Sequence, residues 1–162
     1  MPRRPQDVWL PMLAIHAAFM ASAILYGVIA YLLSDAGAGA KGGGDRALVL
    51  GVLGGAAAIA AIASFVVRAR VMPARRRGGA PAPISLEQLT AAPAAGAVAR
   101  LRSALVVGWA LCEGVALLGL VAAFWFRDAA LYAPFGAGTL GLLLAQAPRP
   151  YLLTEVVAAL PR

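Results

Sequence analysis

One acidic residue stands alone in a long apolar run. Glu113 lies in Val107-Gly108-Trp109-Ala110-Leu111-Cys112-Glu113-Gly114-Val115-Ala116, with no other charge between Arg102 and Arg127. If a helix enters hydrocarbon at Ser103, ten residues at ~1.5 Å each put this carboxyl ~15 Å deep. That is the middle of a ~30 Å layer. Charge there costs at least ~2.5–3.5 kcal/mol, and an ionisable residue at such depth by default marks an ion or proton path. Proton binding and release is the chemistry Glu113 offers. The structural alternative is a neutral carboxyl joining helices by a hydrogen bond, worth ~1–2 kcal/mol.

His16 is the other ionisable group at depth, ~12 Å in from Val8 by the same rise. A Glu–His pair at one level could stabilise both groups and pass a proton. The alternative is a neutral imidazole bonded to backbone or a hydroxyl. Thr139 is a third polar group at that level, so Glu113, His16 and Thr139 are the candidate ion-binding residues. Ser22 and Tyr26 read as packing and local hydrogen bonding. Cys112 points about 100° away from Glu113 and reads as a small buried apolar residue. Arg75-Arg76-Arg77 is a candidate site for anionic lipid or an acidic partner.

Catalytic sets are missing from the sequence. One cysteine and one histidine exclude a disulfide framework and a multi-Cys or His-rich metal site. There is no Gly-x-x-x-x-Gly-Lys-Ser/Thr phosphate loop and no Gly-x-Ser-x-Gly elbow. The expectation is a non-enzyme with no cofactor and no metal.

The elements that hold these residues follow from composition. Apolar residues make up 62% of the 162-residue chain and charged residues 13%, against about 25% charged in a soluble domain. Four runs almost free of charge, at about 8–33, 47–67, 103–126 and 129–147, each approach the ~20 residues that cross a bilayer as a helix. The fold expected is an all-α integral membrane domain of four transmembrane helices spanning residues 1–162. Pro11 falls in the first turn of the first run, and the third helix is expected to begin near Gly96, in the interface. Gly51 and Gly55, then Ala56 and Ala60, form small-xxx-small steps in the second. Residues 148–162 read as an interfacial tail.

Charge gives orientation. Residues 68–102 carry seven arginines and one acid, Glu87, whereas the connectors 34–46 and 127–128 are neutral. Lys and Arg concentrate in cytoplasmic loops, so the 68–102 loop and both termini are expected in the cytoplasm, with the protein in the inner (plasma) membrane. The first run is too long for a signal-peptide core of 7–15 residues. The net charge of +7 is assigned to topology and lipid contact, and no nucleic-acid partner is expected.

Two halves of the chain look alike. Ile24-Leu25-Tyr26-Gly27-Val28-Ile29-Ala30 aligns with Ala116-Leu117-Leu118-Gly119-Leu120-Val121-Ala122 at an offset of 92 residues. A tandem repeat of two helical hairpins explains this, with Ala21 opposite Glu113. In addition, Gly108-Trp109-Ala110-Leu111-Cys112-Glu113-Gly114-Val115-Ala116-Leu117-Leu118-Gly119-Leu120-Val121 resembles the carboxylate helix of the rotor-ring c subunit, or proteolipid, of ATP synthases. The resemblance covers about residues 105–124. It implies that Glu113 is an ion-binding carboxylate. Four short helices enclose little on their own, so the chain is expected to work in a homo-oligomer or larger membrane complex.

The functional expectation is a small polytopic membrane protein with a proteolipid-like hairpin that binds or relays protons at Glu113. The alternative is a non-transporting scaffold or assembly factor whose basic loop docks a partner or anionic lipid.

Overall fold

The computed structural model describes residues 5–35, 45–71, 92–149, 152 and 155. Its elements are α1 (Pro5–Asp35), α2 (Arg46–Val71), α3 (Ala92–Phe126), a 3₁₀ turn (Ala129–Leu131) and α4 (Tyr132–Ala145). The fold is all-α among the described residues. Three helices are long and apolar enough to cross a bilayer: Trp9–Leu33, Arg46–Val71 and Ala94–Phe126. Residues Ala129–Ala145 form a shorter apolar segment. Helix α4 itself, at 14 residues, is about 21 Å long. Most of the 148–162 tail lies outside the described residues.

Side-chain chemistry sets the helix ends. Asp45 caps α2, its Oδ1 accepting from the Ala47 and Leu48 amides at 3.0 and 3.4 Å. A carboxylate there also meets the positive end of the helix dipole. Helix α3 starts earlier than the sequence suggests, because Pro93 sits in its first turn, where a missing N–H breaks no intrahelical bond. Its 35 residues extend about 52 Å, so the helix projects past the hydrocarbon. Pro11, by contrast, lies inside α1, which begins at Pro5. It removes one helical hydrogen bond on an exposed face.

The α3–α4 turn uses a Schellman cap. The Arg127 amide donates to Phe124 O at 3.3 Å and the Asp128 amide to Ala123 O at 3.0 Å. Arg127 takes the left-handed conformation, φ 50°, that this motif normally gives to glycine. Asp128 Oδ1 then accepts from the Ala130 amide at 3.1 Å and starts the 3₁₀ turn. Its other oxygen, Oδ2, accepts from Arg46 Nη2 at 2.6 Å. Arg46 also lies over the Phe126 ring, 5.5 Å from its centre. The start of α2 is thereby fixed beside the end of α3.

Directions alternate along the chain. One core cluster joins Met12 to Ala97, Val98, Leu101 and Leu105, and a second joins Ala23 and Ala30 to Ala116 and Ala123. Contacts that advance together on both helices make α1 and α3 parallel. Helices α2 and α4 run against them, since Ser64 and Gln146 both meet Gly108 while Arg46 meets Asp128. Helix α3 packs on α1, α2 and α4. Helices α1 and α2 make no extended contact among the described residues. The first hairpin therefore opens around α3 while the second, α3–α4, closes on itself. Helices α1 and α3 are parallel, as in any chain of alternating helices, and their packing partners differ.

Buried positions on α1 fall at 12, 16, 23 and 30, with 19 and 26 half-buried. That 3–4 spacing is the seam of left-handed packing. On α3, Trp109, Ala116 and Ala123 repeat at sevens opposite His16, Ala23 and Ala30. Alanine at four of these six positions brings the two backbones close, as membrane helices need.

Candidate functional site

Glu113 lies on α3 between the α1 seam and an exposed stripe that includes Ala110 and Leu117. It is half-buried. Its Oε1 accepts a hydrogen bond of 2.8 Å from the Tyr26 hydroxyl on α1. Tyr26 lies further along α1 than the position level with Glu113, and its long side chain spans the offset. Ser22, one turn earlier, donates to Phe19 O at 2.9 Å. Tyr132 of α4 hydrogen-bonds the Ala23 carbonyl and lays its ring against Gly27. Of these hydroxyls, Tyr26 alone donates to the carboxyl, while Ser22 and Tyr132 donate to backbone carbonyls of α1. Tyr26 can hold the carboxyl in one position and keep its hydrogen bond whether or not the carboxyl carries a proton.

His16 is not part of that group. It packs on Trp109, ring centres 4.9 Å apart, one turn of α3 before Glu113. Its Nδ1 is buried without a hydrogen-bond partner. The histidine and the glutamate therefore form no pair. Thr139 is buried and donates to Cys112 O at 3.1 Å, a helix-to-helix tie that engages the backbone of α3 and not the Glu113 side chain. Arg75, Arg76 and Arg77 lie outside the described residues.

A second polar cluster lies nearer the other end of the bundle. Gln146, fully buried, donates from Nε2 to Ser64 Oγ at 2.7 Å and approaches Cys112 Sγ at 3.6 Å. Its backbone oxygen accepts from Trp109 Nε1 at 3.2 Å. Ser64 in turn donates to Ala61 O at 2.7 Å. Gly108 makes room: a methyl there would lie 3.0 Å from Gln146 Oε1. That Oε1 is buried and has no hydrogen-bond partner. This cluster ties α2, α3 and the end of α4 together.

Sequence reasoning missed Tyr26 as the partner of Glu113, and missed Ser64 and Gln146 entirely. The signal for Tyr26 was the 3–4 spacing that puts it on the same face as His16 and Ala23. No such signal exists for Gln146, whose place depends on where α4 ends.

Protein-family models, curated proteins and solved structures yield no match to this chain.

Proposed function

We propose that this multi-pass membrane protein binds and releases a proton at Glu113, as part of a homo-oligomer or larger membrane complex, and has no enzymatic reaction of its own. The observation that carries the reading is the Tyr26–Glu113 hydrogen bond within two long apolar helices. One carboxyl oxygen is held by a hydroxyl, while the residue stays half-exposed at the edge of the bundle, where a proton could reach it. The resemblance of residues 105–124 to a proteolipid carboxylate helix supports the same role. So does the neutral character of every other side chain in the apolar segments 9–33, 47–67 and 103–126, His16 apart. The basic end, with both termini, is assigned to the cytoplasm by the arginine excess.

The second reading is a scaffold in which Glu113 only joins α1 to α3. The bond to Tyr26 is what such a joint needs, so one variant separates the two. Glu113→Gln keeps an acceptor for Tyr26 but cannot release a proton. Reconstituted with its native complex, that variant is expected to abolish proton flux with insertion intact. Unchanged flux would leave the scaffold reading.

A further inference from the structure

The chain has one histidine and four methionines, and two of the four flank the histidine at equal spacing. Met12, His16 and Met20 stand four residues apart on α1. Residues four apart lie one above the other, so the three side chains form a single row. The row belongs to the buried face of the helix. Met12 is 3% exposed and His16 7%, and Met20 is half-buried against the same core cluster as Met12. His16 Nδ1 is buried and has no hydrogen-bond partner. A polar nitrogen left unpaired in an apolar interior is costly, and no protein group around it removes that cost.

The row turns toward α4 and away from Glu113. Gly27, seven residues beyond Met20 and so on the same flank of α1, lies against the Tyr132 ring of α4. Leu142 and Leu143 of α4 pack on the cluster that holds Met12 and Met20. Tyr26 is about 120° from Met20 around α1, on the opposite flank, and it is there that Glu113 is held. Trp109 closes the row from α3. Its ring centre is 4.9 Å from that of His16, with the planes tilted by 53°. The indole is fixed in turn, because its Nε1 donates to Gln146 O at 3.2 Å.

From this arrangement we propose that Met12, His16 and Met20 bind a soft monovalent metal ion, Cu(I). Two thioethers and an imidazole are neutral donors, and thioether sulfur selects Cu(I) over the hard ions that carboxylates and carbonyls take. With its proton on Nε2, His16 offers the lone pair of Nδ1. Charge points the same way. A divalent ion among neutral ligands at this depth keeps its full double charge, whereas Cu(I) carries one, and the cost of burial rises steeply with charge. The face of a neighbouring indole adds attraction for a cation. Among the described residues no three of histidine, cysteine, aspartate and glutamate come together to hold a harder metal. Thioethers lie outside the cysteine-rich and histidine-rich sets that the sequence excludes. The site does not depend on proton carriage at Glu113.

The test is a titration of the full chain in detergent with Cu(I), kept reduced by ascorbate without oxygen, in competition with the chromogenic chelator bicinchoninate. Uptake of a single ion per chain is expected, with quenching of tryptophan fluorescence. M12L/M20L, a swap of similar volume that cores tolerate, should weaken binding at least about a hundredfold, the upper end of what loss of an outer-shell partner costs a metal site. H16Q should do the same. C112A should change nothing, because Cys112 Sγ is engaged by Gln146 Nε2 at 3.6 Å. Circular dichroism of each variant reports whether the helices are intact. No uptake by the unaltered chain would overturn the proposal, and so would undiminished uptake in a folded M12L/M20L, which would leave the row as core packing. Uptake lost in C112A would move the metal to the thiol and refute the assignment. Zn(II) bound as tightly as Cu(I) would refute the choice of a soft ion.

Discussion

The Tyr26 hydroxyl donates to Glu113 Oε1 at 2.8 Å, joining two parallel helices 87 residues apart in sequence. In hydrocarbon neither group has water as an alternative partner. Removing one partner leaves the other unsatisfied, which costs more than the bond is worth. Tyr26→Phe is therefore expected to destabilise the bundle by about 1–2 kcal/mol. Glu113→Gln, which keeps the acceptor, should cost less than half of that. Reversible unfolding in mixed micelles measures both. Equal losses in the two variants would show that an amide oxygen cannot replace the carboxyl as acceptor for Tyr26.

Close helix approach makes a second prediction. A Cβ on Gly119 would come within 2.8 Å of Phe135 Cγ, near the root of a ring that cannot swing aside. Gly119→Ala should destabilise by about 1–3 kcal/mol through overpacking of α3 against α4. Gly114, earlier on the same helix, has open space where a methyl would stand, with nothing within 4 Å. Gly114→Ala should be neutral or should stabilise by up to about 1 kcal/mol, from helix propensity. Thermal unfolding of the two variants side by side tests the packing directly.

Arg127 occupies the left-handed position of the α3 cap, φ 50°. A non-glycine residue there carries about 1 kcal/mol of backbone strain. Arg127→Gly should raise stability by a few tenths to about 1 kcal/mol, after glycine's greater freedom in the unfolded chain is set against the relief. The Arg46–Asp128 pair should be undisturbed, and what the Arg127 side chain itself contributes is set against the gain. A loss of stability would mean that the Arg127 side chain holds the turn.

Much of this fold is legible in the sequence, and the exceptions have physical reasons. Four apolar runs specify helix number and order, because hydrocarbon admits little except helices. Helix α3 begins at Ala92, ahead of the Gly96 that the sequence suggests. Proline at the second position of a helix is a starter, whereas Pro93 in a loop rich in proline reads as a breaker. Segment 129–147 reads as one helix, yet Asp128 caps a 3₁₀ turn first and α4 is left with 14 residues. Glu113 stands out because a lone charge in an apolar run is visible without structure. Its partner does not, because equal depth suggests His16. The length of the tyrosine side chain instead gives the reach from Tyr26, further along α1. Gln146 and Ser64 come together only through the relative register of α2 and α4, which apolar runs do not encode.

The most direct test of proton binding at Glu113 is labelling with dicyclohexylcarbodiimide in native membranes, read by mass spectrometry of peptides. This apolar reagent dissolves in the bilayer and adds to protonated carboxyls. Modification at Glu113 is expected, slowing as pH rises, absent in Glu113→Gln and faster in Tyr26→Phe, where the hydroxyl no longer covers Oε1. An unlabelled Glu113, with label on Glu87 or Glu155 or on no residue, would contradict the account and leave Glu113 as a joint between helices.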